Sequence, residues 1–247
     1  MALKPRAILM RAQAARAFMA RLNRNQKDLC LERYASEIEA NAEALLQANL
    51  KDMKKARGRI VAPLLNRLEL TRDKVHMIAR MVREVRNLED PTNKILHNMQ
   101  MDEGLTVMKK TVPLGVLVVV VESRPDVLPQ ISSLVLKSGN VLVIKGGSEA
   151  AHTNRLFAKL WQNALAELGS NIPPWLQLVE GRSLFKELLR HSDLIDLVIP
   201  RGSNSLVRAC QKATTAPVLG HAEGICTLFV HESAGLDQAV QIVLDAK

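Results

Sequence analysis

The sequence is poor in aromatic residues and has no long hydrophobic run. Aromatic residues make up 3% of the 247 residues, so aliphatic side chains must fill the core of this chain. The same scarcity leaves few rings to stack against bases, which counts against nucleic acid as a partner. The longest apolar stretch, residues 112–121, is far shorter than the roughly 20 residues of a membrane span. We therefore expect a core strand there and no membrane partner.

Cysteine is also scarce. Cys30, Cys210 and Cys226 lie far apart, no two of them have the spacing of metal ligands, and their odd number argues against a disulfide framework. We expect free thiols in a reducing compartment and no metal site.

The net charge of +9 is concentrated near the N-terminus. The first 27 residues carry seven Lys or Arg and no Asp or Glu, without the apolar segment of a secretory signal. A nucleic-acid-binding arm, an organelle transit peptide and a solvated helix all have this composition. We do not expect nucleic-acid binding, because the basic residues are spread over helical faces. The other two interpretations stay open, and so does the compartment, cytoplasmic or mitochondrial.

The hydrophobic pattern divides the chain near residue 95. Residues 6–57 are helix-forming, and Thr71 is a plausible cap for a second helical stretch with an apolar stripe from Val75 to Val82. Beyond residue 95, β-branched strands alternate with helices. The predicted elements are a strand in "GLTVMKKTV", a buried strand ending at Val121, a helix at 127–138, a strand at 141–145, a helix at 149–168, a strand at 176–179, a helix at 183–191, a strand at 195–199, a helix at 203–213, and strands near 217 and at 225–230.

This alternation predicts an α/β fold with a Rossmann-like parallel sheet and helices on both faces. We expect a helical segment over residues 1–90 and the Rossmann-like part over 104–225. Together they would form a nucleotide-binding domain over 1–225.

Three of the predicted strands end in polar or glycine-rich sequence. The segments after them are Glu122-Ser123-Arg124, Lys145-Gly146-Gly147 and Pro200-Arg201-Gly202-Ser203. The carboxyl ends of parallel strands share one edge of the sheet, where backbone N–H groups and a lysine suit a phosphate. Neither a G-x-G-x-x-G fingerprint nor a P-loop is present. The residues alone predict a phosphate-bearing ligand, such as a nucleotide.

Four motifs in order carry a family resemblance. They are "VPLGVLVVVVESRPDVLPQ", "LKSGNVLVIKGGSEAAHTNR", "DLVIPRGSNSLV" and "PVLGHAEGIC". The chain resembles the glutamate-5-semialdehyde dehydrogenases, also called gamma-glutamyl phosphate reductases, of the aldehyde dehydrogenase superfamily. "ESRPDVLPQ" and "GHAEGIC" are most similar to the reductase half of delta-1-pyrroline-5-carboxylate synthase.

The resemblance implies NADPH-dependent reduction of L-glutamyl 5-phosphate to the semialdehyde, a step of proline synthesis. In that family a cysteine thiolate displaces phosphate to form a thioester, which hydride then reduces. The cysteine lies in a "PAACNA"-like segment beyond the equivalent of "VLDAK", and this chain does not contain it. We therefore expect residues 226–247 to begin a catalytic domain, and the chain alone to be inactive. The alternative is a non-catalytic nucleotide-binding or regulatory module.

The resemblance also implies cofactor-binding residues. Lys145 corresponds to a lysine beside the adenosine ribose, where an ammonium group favours the 2′-phosphate of NADPH. Gly146, Gly147 and Ser148 follow it, with helix capping an equal alternative for Ser148. Gly202 and Ser203 correspond to a turn beside the pyrophosphate and nicotinamide, although Ser203 has the sequence of an ordinary N-cap.

The remaining assignments concern the substrate and proton transfer. Glu122, Ser123 and Arg124 are expected to line the substrate site, with a salt bridge from Arg124 to Glu122 or Asp126 as the alternative. His221 occupies a general-base position, or else is structural. Cys226 lies in a predicted strand and is not expected to be the nucleophile.

A last implication concerns assembly. The segment "MQMDEGLTVMKKTV" corresponds to an oligomerisation arm in the superfamily, so a homo-oligomer is expected.

Overall fold

The N-terminal third of the chain is a bundle of helices. The structure, a computed structural model, describes residues 4–169, 171–220 and 227–246. The helices are α1 (Pro5–Arg21), α2 (Arg24–Ala40), α3 (Ala42–Ala56), α4 (Ala62–Leu68) and α5 (Arg72–Asn87). Thr71 caps α5 by accepting a hydrogen bond from the backbone N–H of Lys74, which confirms the predicted cap. Helix α4 was not predicted, because its seven residues are too few to show a helical period.

The second part of the chain alternates strands with helices. After β1 (Ile95–Asp102) and β2 (Leu105–Lys110), the elements are β3 (Val116–Val121), α6 (Val127–Lys137), β4 (Val141–Lys145), α7 (Ala151–Leu165), β5 (Leu176–Leu178), α8 (Arg182–Leu188), β6 (Leu197–Arg201), α9 (Asn204–Ala213) and α10 (Leu236–Ala246). The last four strands form a parallel sheet in the order β5-β4-β3-β6. All six residues of β3 are buried, as expected for a central strand covered on both faces. The predicted α/β fold is confirmed.

Helix α1 belongs to the core of this α/β unit. Leu9, Ala12 and Met19 are fully buried, and the helix packs against β4 and α8. Arg11 and Arg16 lie on its exposed side. The basic N-terminal segment is therefore a core helix with a charged outer face, rather than a helix solvated on all sides. Among the described residues, no helix is long and apolar enough to cross a membrane.

Several predicted boundaries differ from the structure. Strand β1, which pairs antiparallel with β2, was not predicted, because its mixed polarity hides the strand pattern. The strand predicted at 195–199 lies at 197–201, and the one near 217 is a single bridge between Val198 and Val218. Residues 227–230 form no strand, which corrects the prediction for 225–230 over that range. Their apolar composition suits a strand, but Phe229 is 82% exposed and pairs with no other strand in the described chain.

The scarce aromatic residues are gathered at one point of the core. The ring of Tyr34 on α2 stacks on that of Trp161 on α7, with centroids 3.7 Å apart, and Trp161 meets the edge of Trp175 at 5.2 Å. The Trp161 indole N–H donates to Ser132 Oγ on α6 at 2.8 Å, so its polar atom is satisfied. Both tryptophans and the only tyrosine thus join the helical segment to the α/β sheet.

A buried carboxylate fixes the start of α7, next to the loop that follows β4. Asp52 on α3 is 1% exposed and accepts hydrogen bonds from the backbone N–H of His152 at 3.0 Å and of Thr153 at 2.9 Å, and from Thr153 Oγ1 at 2.8 Å. A carboxylate at this end of a helix also interacts favourably with the helix dipole. Asp52 therefore sets the position of α7 relative to α3.

We predict that Asp52→Ala lowers the free energy of unfolding by about 2–4 kcal/mol, because two backbone donors and a hydroxyl lose their acceptor in a buried place. Urea denaturation measures the change. The matched control is Glu43→Ala on the exposed face of the same helix, which should change stability by no more than about 0.5 kcal/mol. Equal effects of the two substitutions would contradict the role of Asp52.

Candidate functional site

The candidate site lies where the strand order of the parallel sheet reverses. Strand β3 is paired with β4 on one side and with β6 on the other, and Val120 lies level with both Lys145 and Pro200. The chain runs from β3 to β4 and β5 in one direction and then places β6 on the opposite side of β3. A ligand crevice forms at such a switch point, outside the carboxyl ends of the strands. The structure thus brings the three predicted strand-end segments to one edge.

The loop after β4 packs directly against the loop after β3. A Cβ atom at Gly147 would lie 1.8 Å from Ser123 Oγ and 2.7 Å from Ser123 Cα, so only glycine fits there. Ser123 Oγ donates a hydrogen bond to the Glu149 carboxylate, and Ser148 Oγ lies 3.0 Å from the same group. Ser148 begins a short 3₁₀ turn and caps no helix through its side chain. The serine hydroxyls of the β3 and β4 loops therefore both hold Glu149.

The Glu149 carboxylate is held in its charged form. Burial alone would raise its pKa, but the hydrogen bonds from Ser123, the backbone and Ser148, together with the charge of Lys145, lower the pKa below its usual value. This carboxylate thus stays ionised and is oriented by its serine partners.

The loop after β6 brings Gly202 against Glu122 and places Ser203 at the start of α9. A Cβ atom at Gly202 would lie 3.0 Å from Glu122 Oε1, so the two loops are in close contact. Ser203 is the N-cap of α9, and its Oγ accepts from the Leu206 N–H at 3.4 Å. The capping interpretation of Ser203 is therefore confirmed. The cap also leaves the N-terminus of α9, a ten-residue helix, at the carboxyl edge of the sheet.

Arg124 turns toward a cavity on the helical side of the site. Its guanidinium group pairs with Asp126, at 2.8 Å from Nη2 to Oδ2, which is one of the two salt bridges considered as alternatives. The cavity has a volume of about 530 Å³, in the range that holds small ligands. Its lining residues are Asn66, Arg67, Glu69, Leu70, Lys74, Met77, Ile78, Arg124, Pro125 and Asp126. Arg124 thus combines the salt bridge with a position in the lining of a ligand-sized cavity.

Lys145 ends β4 as a half-buried cation. Its ammonium group donates to the carbonyl oxygen of Gly146 at 3.1 Å and has no ion-pair partner among the residues that the structure describes. Burial lowers the pKa of Lys145, and the positive charge of Arg182 lowers it further, while Glu149 opposes the change. Arg182, the first residue of α8, was not singled out from the sequence. The signal was its place in the segment Glu180-Gly181-Arg182, just beyond the third strand of the sheet.

Comparison with known proteins identifies the family to which the chain belongs. The family model described as the aldehyde dehydrogenase family matches residues 4–247. The chain belongs to the aldehyde dehydrogenase family.

Similar relatives carry two names. Gamma-glutamyl phosphate reductase of Acetivibrio thermocellus is 41% identical over 223 residues, which are 90% of this chain and 51% of that protein. Delta-1-pyrroline-5-carboxylate synthase of Mesembryanthemum crystallinum is 40% identical over 95% of this chain and 32% of that protein. The crystal structure of gamma-glutamyl phosphate reductase from Thermotoga maritima superposes with a TM-score of 0.89 at 29% identity, covering 99% of this chain and 59% of that one. The chain thus spans about half the length of the reductase from Acetivibrio.

The loop after β4 packs closely against a buried amide of α7. Gly146 lies so close to Asn154 on α7 that a Cβ would be 2.3 Å from Asn154 Nδ2. Asn154 is 4% exposed, and its Oδ1 has no hydrogen-bond partner among the described residues. A loop of two glycines lying over a buried amide, with one unneutralised lysine, suits a phosphorylated cofactor that the backbone approaches closely. Asn154 was not predicted, since one asparagine within a helix gives no signal.

The remaining site residue predicted from the sequence, His221, is not among the residues that the structure describes. Glu223, Gly224 and Cys226 of the same segment also lie outside the described residues. Cys210 is buried, and burial raises the pKa of its thiol, so it is not suited to act as a nucleophile. Among the described residues, no cluster of His, Cys, Asp or Glu side chains could hold a metal ion.

We predict that Lys145→Met raises the stability of this chain in the absence of ligand. The pKa of Lys145 is lower in the folded state than in the unfolded state. The charged form of Lys145 therefore lowers the free energy of unfolding at pH 7. The midpoint of urea unfolding should therefore rise, and the gain should shrink as the pH rises through the folded-state pKa of Lys145.

The matched control is Lys186→Met, at an exposed position of α8, which should leave the midpoint nearly unchanged. If Lys145→Met unfolds at the same urea concentration as the wild-type chain or at a lower one, Lys145 is not an uncompensated cation.

Proposed function

We propose that the protein of which this chain forms a part reduces L-glutamyl 5-phosphate to L-glutamate 5-semialdehyde with NADPH, a step of proline biosynthesis. The observation that carries the proposal is the convergence of three strand-end loops at the switch point of the sheet. The names of the relatives at about 40% identity supply the reaction. A small-molecule substrate is the partner, and the geometry gives no reason to propose nucleic acid or a membrane.

The cofactor would be held by the loops after β4 and β6. Lys145 would pair with the 2′-phosphate, Gly146 and Gly147 would let the backbone approach the ribose, and Ser148 would border the site. Gly202 and Ser203 would hold the start of α9 beside the pyrophosphate, where backbone N–H groups favour an anion. Bound NADPH supplies the hydride.

The substrate would lie between the β3 loop and the cavity beside α5. A guanidinium group has five N–H donors, and Asp126 accepts from two nitrogens of Arg124, so Arg124 keeps donors for a phosphate or carboxylate. The cavity lining includes both signs of charge, from Arg67 and Lys74 and from Glu69. Such a lining suits a substrate that carries an ammonium group as well as anionic groups. Glu122 and Ser123 would border the reacting end, and His221 is proposed for proton transfer.

An assay of the protein in the reverse direction tests the reaction. With L-glutamate 5-semialdehyde, inorganic phosphate and NADP⁺, we predict formation of NADPH that depends on both the aldehyde and phosphate. Arg124→Gln should lower kcat/KM about tenfold or more, because it removes a charged hydrogen-bond donor from the substrate. Arg190→Gln, a change of the same kind at an exposed residue just after the C-terminal end of α8, is the control. Cofactor binding without any phosphate-dependent turnover would overturn the proposal and favour a non-catalytic nucleotide-binding module.

We also propose that the protein is a homo-oligomer, joined through the ribbon of β1 and β2. All fourteen residues of these two strands are exposed. The paired residues Met99 and Val107 are 44% and 48% exposed, although both are apolar. An exposed ribbon with apolar side chains and unpaired edges is suited to a partner chain.

We predict that Val107→Lys shifts the protein toward monomer, because it places a charge within an apolar contact. Analytical ultracentrifugation measures the shift. Thr106→Lys adds the same charge on the opposite face of the ribbon and should have a smaller effect. A wild-type protein that is monomeric throughout would contradict the proposed assembly.

A further inference from the structure

The carboxyl edge of β4 and β5 holds two cations, Lys145 and Arg182, that form no ion pair with a carboxylate among the described residues. Strands β4 and β5 are parallel neighbours, with Ile144 level with Leu178, and the Val179 N–H donates to the Ile144 carbonyl at 2.8 Å. Both strands therefore end at the same level of the sheet. Lys145 continues from one strand, and Arg182 follows Val179 by three residues at the end of the other.

A turn directs Arg182 into its position. Gly181 has φ of +88°, in the left-handed region, and it lets the chain turn from β5 directly into α8. Arg182 is exposed and makes no ion pair with any residue of the described chain. Its five N–H donors are thus open to a ligand.

The two nearby carboxylates are occupied by other partners. Glu180, next to the turn, accepts two hydrogen bonds from Arg155 on α7, both at 2.6 Å. Glu149 is held by Ser123 and Ser148. The nearest acids are therefore fixed by other groups, and neither forms an ion pair with Lys145 or Arg182.

Two like charges at this edge cost free energy unless an anion joins them. The guanidinium of Arg182 lowers the pKa of Lys145, so the two groups lie within range of each other's field. One half-buried ammonium and one guanidinium match the charge of a phosphate dianion, and the guanidinium suits its geometry. A ribose hydroxyl would leave both charges without a counter-ion.

We propose that Arg182 acts with Lys145 to bind the 2′-phosphate of NADPH and thereby selects NADP(H) over NAD(H). The inference rests on the proposed function, because it assumes that the adenosine end of the cofactor lies over the β4 loop. It adds a specificity-determining residue in α8, outside the β4 and β6 loops.

Calorimetry of the chain with 2′,5′-ADP and 5′-AMP tests the inference without turnover. We expect the wild-type chain to bind 2′,5′-ADP about tenfold or more tightly than 5′-AMP. Arg182→Gln should reduce this preference to about threefold or less, through weaker binding of 2′,5′-ADP and an unchanged affinity for 5′-AMP. Arg182→Lys should keep part of the preference, because it keeps the charge but loses the planar fork.

The control is Arg190→Gln, which makes the same change of net charge at the other end of α8 and should preserve the preference. Circular dichroism verifies that each variant is folded. A full preference for 2′,5′-ADP in Arg182→Gln would overturn the role of Arg182 and leave the proposed function standing. If the wild-type chain binds neither nucleotide, the proposed cofactor site fails, and this inference fails with it.

Discussion

Parallel pairing of β3 with both β4 and β6 is the constraint on which the rest of the site depends. Because Val120 is level with Lys145 on one side and Pro200 on the other, the three loops that follow must share one edge. The loops can then approach closely only where a side chain is missing, as Gly147 does against Ser123. Charge, glycine and the start of a helix thus meet at one place because the register of the sheet places them there.

At the carboxyl edge of the sheet, Lys145 and Arg182 form no ion pair with any described residue, which leaves positive charge available to an anionic ligand. The two fully buried lysines of the described fold are paired, Lys27 with Asp90 at 3.0 Å and Lys137 with Asp28. Lys145, by contrast, is half-buried and forms no ion pair with a carboxylate of the described fold. The nearby Glu149 carboxylate is hydrogen-bonded by two serines instead. A core lysine is stabilised by its partner in the fold, whereas a lysine at a binding edge is stabilised only by what binds. This difference separates a structural cation from a functional one.

Sequence reasoning predicted the sheet because its strands are continuous β-branched runs, and it predicted that the segments after three of those runs share one edge. It missed β1, where the adjacent polar residues His97 and Asn98 interrupt the alternation that indicates a strand, and α4, which is too short to show a period. Arg182 and Asn154 were missed for another reason. Their importance arises from neighbours distant in sequence, Lys145 and Gly146, and becomes visible only once β4, β5 and α7 are placed side by side.

Hydrogen exchange of the chain with and without NADPH tests the central claim most directly. The account predicts slower exchange of backbone N–H groups in the segment after β4 and at the start of α9, with little change in α2 and α5. Unchanged exchange at residues 145–149 and 202–206 in the presence of saturating NADPH, or protection confined to the N-terminal helices, would contradict it.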